Sequence, residues 1–329
     1  MEIRKLQLIG GSSYMVSLPK DWVRSNSLKQ GDEIILQVEN SVITLYPKRF
    51  VDEIKIARVE IDKIPRLDEK FVRRHIYALY IQGIDEIVIK DKNINTRLIS
   101  RISEIVKQLI GMEIIDASEG KVVLKCLATT DFDVYGVIKR MSQIVQVMLS
   151  TIEECISTND FEGLREISGL EEDSDRLYLL AIRQEHRLVR EYSSPSRWNE
   201  LRLILGIRMV AKLFEEIADA LNDFSCYVLK MEDKSRVSSL LKLVSDLKRA
   251  FNMVSRAYIV SDVELSEDSI ELLEQIEEKI LKRMEEDVYY RLALETILSA
   301  CRHMKSIGEV ALNKSVRESL KSGTKRAKR

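Results

Sequence analysis

Proline is the residue that most limits what this chain can fold into. Only four prolines occur among 329 residues, and they are Pro19, Pro47, Pro65 and Pro195. Glycine is also scarce, at twelve residues. Because proline breaks helices, its rarity favours long helices and argues against a β-sandwich, a collagen-like chain or a disordered one. The length predicts about two or three domains of ~100–200 residues each.

Hydrophobic periodicity divides the chain into zones. Residues 1–50 alternate apolar and polar side chains in short stretches, which predicts short strands around a short helix. Residues 51–128 alternate between strand and helix patterns and predict a small α+β domain. Apolar spacings of three and four then predict three helices in 129–230 and three in 231–319. The predicted fold class is mainly α, with two three-helix bundles preceded by the α+β domain and an N-terminal β domain. Residues 320–329 are predicted to be a disordered basic tail.

The grouping into two sets of three helices indicates an internal repeat. Asn159, with Glu162 three residues later, predicts a capping box at the start of the second helix. Ser194 and Pro195 predict the next start, and Ser266 before two acids predicts another. The six helices are expected at about 131–158, 160–191, 196–229, 234–261, 266–287 and 288–318.

Charge is nearly balanced overall but unevenly distributed. The chain has 52 basic and 53 acidic residues. Residues 1–50 carry seven basic and five acidic side chains, whereas residues 131–229 carry eleven and eighteen. The last ten residues carry five basic and no acidic side chains, which suits either a solvated tail or a non-specific nucleic-acid arm. Such segregation indicates different partners for different segments.

Several classes of protein are disfavoured by what the sequence lacks. It has no run of 18 apolar residues and no secretion signal, so we expect a cytoplasmic protein that does not insert into membranes. Its four cysteines are far apart and are expected to be reduced core thiols. With three histidines and no phosphate-binding glycine loop, neither a Ser-His-Asp triad nor a His/Cys zinc site is supported. We therefore do not expect an enzyme.

Two pairs of acids are the candidate metal ligands. Glu171 and Asp175 are four residues apart and share a helix face, and so do Glu215 and Asp219 on the following helix. Two such pairs on neighbouring helices repel one another unless a cation lies between them. Magnesium prefers oxygen ligands, and iron or zinc accepts bridging carboxylates. The spacing allows a Mg, Zn or Fe site, and a solvated acidic face is the alternative.

Four basic residues surround the predicted first strand and short helix, namely Arg4, Lys5, Lys20 and Arg24. About 47 residues are too few to bury a good core alone, so this unit is expected to pair with a second copy of itself. The charges would then repeat across a two-fold axis, which suits the phosphates of duplex DNA. Ordinary surface charge is the alternative.

The N-terminal segment resembles a known family of DNA-binding domains. The stretches SYMVSLPKDWV at 13–23 and LKQGDE at 28–33 resemble the AbrB/SpoVT swapped-hairpin family. The resemblance covers about residues 3–47 and implies an intertwined homodimer that binds DNA. One departure is the loop GSSY at 11–14, where the family often carries arginine.

This resemblance also implies roles for the basic residues. Arg4, Lys5 and Arg24 fall at positions that the family often uses to contact DNA, and Lys20 adjoins the proline that starts the short helix. DNA is therefore an expected partner.

Two acidic stretches in the helical half, LEEDSDRL at 170–177 and LFEEIADALN at 213–222, resemble the second-helix and third-helix motifs of a known family. This family is the PhoU family of phosphate-signalling regulators, which are built from two three-helix bundles. Such acid pairs bind multinuclear metal clusters in some members. In the second repeat Glu274 and Glu278 keep the spacing, but Lys305 replaces an acid. One metal site, in the first bundle, is therefore expected.

The two resemblances together, with the α+β domain between them, are similar to archaeal-type PhoU/AbrB regulators. They imply a DNA-binding transcription regulator linked to phosphate uptake, whose body senses a metal, phosphate or a partner. The alternative is an adaptor that does not bind DNA and that docks a phosphate transporter or signalling protein. A metal-dependent hydrolase is a third hypothesis, but no nucleophile accompanies the acids.

Overall fold

The computed structural model describes residues 3–39, 42–48, 58–127, 133–191, 198–283 and 287–326. The chain divides into two units, Met1–Ala57 and the combination of Arg58–Ser193 with Arg197–Arg329. The first unit is called the head below, and the second the body. Within the described ranges no helix is both long and apolar enough to cross a membrane.

The head contains two antiparallel hairpins and one short helix, as its alternating sequence predicts. The strands β1 and β2 pair with each other, and β3 pairs with β4 over six residues on each strand. The head's elements are β1 (Gln7–Ile9), β2 (Ser13–Met15), α1 (Lys20–Ser25), β3 (Ile34–Glu39) and β4 (Val42–Pro47).

The body begins with a four-stranded sheet that carries two helices. The strand order is β5-β6-β8-β7, with β5 parallel to β6 and the other pairs antiparallel. Side chains of both helices and of the sheet, including Tyr80, Ile87 and Ile102, form one buried core. Residues 51–57, where the predicted α+β domain begins, lie outside the described residues. The elements are β5 (Arg58–Ile61), α2 (Glu69–Ile81), β6 (Glu86–Lys90), α3 (Thr96–Lys107), β7 (Met112–Ser118) and β8 (Lys121–Cys126).

Long helices make up the rest of the body, so the mainly α fold class with a preceding β region is confirmed. The two sets of three helices, α4–α6 and α8–α10, share one continuous hydrophobic core. The helix α6 packs along α10, and α4 packs against α8. The elements are α4 (Val134–Thr158), a 3-10 helix (Phe161–Glu166), α5 (Ile167–Glu191), α6 (Trp198–Lys230), α7 (Ser235–Ser238), α8 (Leu241–Val260), α9 (Val263–Leu281) and α10 (Val288–Arg326).

The predicted helix caps need correction at two corners. Asn159 does not cap the second helix; it ends α4 in the left-handed conformation, with φ 59°, which asparagine tolerates well. The Asp160 side chain instead accepts a hydrogen bond from the Gly163 amide. Likewise Asp262, rather than Ser266, caps α9. The predicted cap at Ser194 lies outside the described residues.

The C-terminal segment also differs from its prediction. The helix α10 continues to Arg326, so the predicted disordered tail is helical over most of its length. Lysine and arginine favour helices and interact well with the negative C-terminal end of the helix dipole, which accounts for the extension. Residues 327–329 lie outside the described ranges.

Candidate functional site

Three of the four predicted metal ligands lie together on two adjacent helices. Glu171 and Asp175 are one turn apart on α5, and Asp219 faces them from α6. Each offers a carboxylate oxygen, and these oxygens all lie within 4.8 Å of one another. None of the three side chains is fully buried. This group is called the acid cluster below.

The fourth predicted ligand, Glu215, has a different environment. It forms a second close group with Glu216 and Asp219, so Asp219 belongs to both groups. The ammonium of Lys212 contacts the Glu215 carboxylate and lies 2.8 Å from Glu216. A cation of the chain itself therefore neutralises this end of the site. The contact was not predicted, although the spacing of Lys212 three and four residues before these acids is a signal for it in the sequence.

The acid cluster is electrostatically unfavourable when all its members are ionised. Burial, together with the charges of Glu171 and Asp219, raises the pKa of Asp175 to about 6. Burial and the neighbouring carboxylates also raise the pKa of Glu171 and of Asp219. Burial raises the pKa of Glu215 although Lys212 opposes the shift. These oxygen donors fit a divalent cation, since its charge would stabilise the ionised carboxylates.

The corresponding place in the second bundle carries its own bases. Lys305 on α10 lies 2.9 Å from Glu274 on α9, and Arg302 lies 2.9 Å from Glu277. Glu278, which keeps the predicted acid spacing, pairs with Lys282 at 3.5 Å. Acids at this place are thus paired with cationic side chains.

A buried arginine ties the first bundle to the α+β part of the body. Arg183 on α5 is 1% exposed and its guanidinium lies over the Tyr80 ring, 5.0 Å from the ring centroid. It donates hydrogen bonds to the carbonyls of Tyr80 and Ile84, and to the Asp85 carboxylate at 2.6 Å. This set is called the Arg183 clamp below. No local sequence pattern predicts this contact, because 98 residues separate Arg183 from Asp85.

A cavity of about 390 Å³ lies where α2 and α3 approach α5. Asp175 of the acid cluster lines it, together with three arginines, which are Arg73, Arg101 and Arg176. The candidate metal site is therefore open to a space shared between the α+β part and the first bundle.

The four predicted DNA contacts of the head are all at its surface. Arg4 and Lys5 precede β1, and Lys20 and Arg24 lie on α1, and all four side chains are exposed. Their positive charges are therefore accessible to a polyanion at the surface of the head.

The same unit leaves large apolar side chains uncovered. Ile3 is 87% exposed, Tyr14 71% and Val38 68%. Among the head residues that the structure describes, only Pro47 is buried. Neither of the two hydrophobic cores includes a head residue. A single copy of the described head therefore lacks a core of its own.

Comparison with known families places two domains on the chain. Residues 7–52 match the family model described as antidote-toxin recognition MazE, bacterial antitoxin, and residues 138–228 match the PhoU domain. The expected pairing of a MazE/AbrB-type domain with a PhoU domain is thereby confirmed. The PhoU match spans α4–α6. No curated protein matches the chain. Both families are regulatory rather than catalytic, and their combination fits a regulator linked to phosphate homeostasis.

Proposed function

We propose that this chain is a DNA-binding transcription regulator linked to phosphate uptake. Two heads pair and bind DNA, and the body binds a divalent metal at the acid cluster. The observation that carries the proposal is the surface of the head, which combines exposed apolar side chains with accessible basic ones.

Pairing of heads supplies the missing core. Fully burying one large apolar side chain stabilises a protein by ~1.5–3 kcal/mol, so covering several of them outweighs the entropy cost of association. Leu36 and Val38 on β3 and Ile43 on β4 are all more than half exposed, which supports a second copy packing on this hairpin. The product is a homodimer held by its heads.

DNA binding follows from the same pairing. In a two-fold dimer the charges of Arg4, Lys5, Lys20 and Arg24 occur twice, at positions related by the axis. The two strands of duplex DNA present phosphates with matching symmetry. Phosphate contacts of this kind give binding that weakens steeply with salt.

The body provides the signal in this proposal. Glu171, Asp175 and Asp219 hold the metal, which neutralises their mutual repulsion. Metal binding changes operator affinity only if it favours one relative arrangement of the two heads over another.

The test is DNA binding by the purified chain to its own upstream region and to phosphate-transport promoters. We expect selective binding. The logarithm of the association constant should fall linearly with the logarithm of the salt concentration. The double variant Arg4→Ala/Arg24→Ala should lose at least tenfold in affinity and should reduce the salt slope. Lys29→Ala is the matched control, because Lys29 is an exposed head cation outside the proposed contact set.

Size-exclusion chromatography with light scattering accompanies the binding assay. A dimer that binds no promoter selectively contradicts the regulator proposal. It favours the second candidate, an adaptor whose heads only dimerise and whose body docks a phosphate transporter or signalling protein. The loop Gly11–Tyr14 supports this candidate, since it lacks the arginine common in the resembling family.

A further inference from the structure

A second, chemically different cavity lies where the two bundles meet. It has a volume of about 260 Å³ and lies between α6 and α10, with Tyr135 of α4 and Tyr258 of α8 also lining it. The four helices that pack across the seam between the two bundles, α4 on α8 and α6 on α10, therefore all contribute to it. Its volume is slightly below the ~300–1,000 Å³ typical of ligand pockets, which limits the occupant to a small molecule.

The walls of this cavity are largely apolar. Leu203, Ile207 and Val310 line it, and so do Leu205 and Met209, which are 71% and 48% exposed. Leu205 and Met209 are four residues apart on α6 and share one face. Water in contact with this wall would be displaced favourably by an alkyl chain or ring.

Positive charge is concentrated at the same cavity. Arg202, Lys314 and Arg317 line it, and the described lining contains no acidic side chain. The charge of Glu318, one turn further along α10 and outside the lining, acts on Lys314 to raise its pKa. The site thus differs from the acid cluster, where carboxylates predominate.

Two of these cationic side chains, Lys314 and Arg317, are incompletely satisfied by the residues that the structure describes. The ammonium of Lys314 donates to the backbone carbonyl of Tyr258 at 2.6 Å and lies 4.8 Å from the centre of the Tyr258 ring, both of which are neutral groups. Burial lowers the pKa of Lys314, which reflects the cost of holding this charge away from water. The Nε atom of Arg317 is buried and has no hydrogen-bond partner among the described residues. A buried donor without an acceptor is unfavourable, so an anion beside this guanidinium would compensate a charge that the described residues leave unsatisfied.

We propose that this cavity binds a small soluble amphipathic anion, with a carboxylate or phosphate group at Arg317 and Lys314 and an apolar body against Leu205 and Met209. The assignment does not depend on DNA binding or on the acid cluster. Because the ligand would contact α6 and α10 at once, its binding would stabilise the seam between the two bundles.

Octanoate is a suitable probe, since it combines a carboxylate with a short alkyl chain. Isothermal titration calorimetry on the full-length protein, below the concentration at which octanoate forms micelles, should show saturable binding and a matching rise in Tm. Acetate has the charge without the chain, and octan-1-ol has the chain without the charge. Each should bind at least tenfold more weakly than octanoate.

Arg317→Gln should weaken octanoate binding at least tenfold while leaving the Tm of the free protein unchanged or higher, since the buried Nε of Arg317 has no partner to lose. Arg291→Gln is the matched control, because Arg291 is an exposed arginine of the same helix outside the cavity lining. Leu205→Asn provides a second test at an exposed position and should weaken octanoate several-fold without affecting acetate.

Four results overturn the proposal. Equal affinity for octanoate and octan-1-ol would show that the ligand need not be an anion. Equal octanoate affinity of the Arg317→Gln and Arg291→Gln variants would show that the ligand does not bind in this cavity. Absence of octanoate binding, with a Leu205→Asn change in oligomeric state, identifies the face as a contact between copies of the chain. If phosphatidylglycerol vesicles alone are bound, in an Arg317-dependent manner, the occupant is a lipid headgroup at a membrane instead of a soluble ligand.

Discussion

The two bundles differ in how the acidic side chains between their second and third helices are compensated. Between α5 and α6 the carboxylates of Glu171, Asp175 and Asp219 face one another at close range. Between α9 and α10 an acid faces a base, as in the 2.9 Å contact of Lys305 with Glu274. The second arrangement is neutral without any ligand. The first keeps its negative charge, and an exogenous cation would stabilise it most.

The comparison also shows that stability and binding capacity compete at a helix pair. Exposed ion pairs such as Lys305 with Glu274 contribute ~0–1 kcal/mol each and leave no requirement for a ligand. Uncompensated carboxylates lower the stability of the free protein, and the binding of a metal would recover that loss.

The largest effect should come from the Arg183 clamp, which has no equivalent among the salt bridges described for the second bundle. Arg183→Met removes the donor of three hydrogen bonds, to the carbonyls of Tyr80 and Ile84 and to the Asp85 carboxylate, which keeps a contact with Arg187 at 3.5 Å. Breaking a buried pair in this way should cost about 3–5 kcal/mol of unfolding free energy. Urea unfolding measures it, with Arg302→Met as the control. Arg302 is exposed and its loss should cost less than ~1 kcal/mol; equal losses for both variants would contradict the clamp.

Divalent metal should stabilise the first bundle selectively. At a hundredfold excess over its Kd, Mn²⁺ should raise the unfolding free energy by about 2.7 kcal/mol. Asp219→Asn should abolish the rise, because this carboxylate belongs to both acid groups. Glu274→Gln, in the second bundle, should leave it intact. Thermal unfolding with and without chelator is the measurement, and metal stabilisation that survives Asp219→Asn places the ion elsewhere.

The ionisation of Asp175 should contribute to the pH dependence of the free energy of unfolding. Its pKa in the folded protein, about 6, lies above its ordinary value of 3.8, so folding favours the protonated form. This contribution is complete below about pH 4 and is lost as the pH rises through about 6. Asp175→Asn should therefore raise the free energy of unfolding at pH 7 by about 1.5 kcal/mol. This is roughly half of the value that the full pKa shift would give, because solvent reaches the carboxylate and weakens the effect. Unfolding curves from pH 4 to 8 in chelator test this, and an unchanged pH profile would count against it.

The smallest effect is expected at Lys212 in the first bundle and Lys305 in the second, which each contact acidic side chains. Without metal, Lys212→Met should cost about 1 kcal/mol, because Glu215 and Glu216 lose their shared partner. The same variant should bind Mn²⁺ more tightly, since a competing cation is gone. Lys305→Met should cost less than ~0.5 kcal/mol, and it should not alter Mn²⁺ affinity. Weaker metal binding by Lys212→Met would show that Lys212 orients the carboxylates instead of competing for them.

Local patterns in the sequence predicted much of the fold. The head's hairpins, the α+β part and the long helices all follow from apolar spacing and scarce proline. The helix starts near residue 160 and residue 263 were less accurate, because Asn159 and Ser261 adopt left-handed conformations and the next residue provides the cap. A sequence pattern cannot distinguish an asparagine that ends one helix from an asparagine that begins the next.

The candidate site was predictable only as far as one helix face extends. The spacing of four residues placed Glu171 with Asp175 on one face, and the packing of α5 on α6 then brought in Asp219. Contacts between distant segments were beyond reach, as the link from Arg183 to Asp85 shows. The cavity between α6 and α10 likewise depends on how two separate helices approach, which apolar periodicity does not specify.

The head's lack of a buried core has a consequence for gene dosage. If the head gains its core by pairing, as proposed, the population of folded heads follows the square of the chain concentration in the dilute limit. Halving the amount of protein would then lower the DNA-competent form about fourfold, by the same mass action. A promoter under its control would respond to the amount of regulator as a threshold, before any ligand reaches the body.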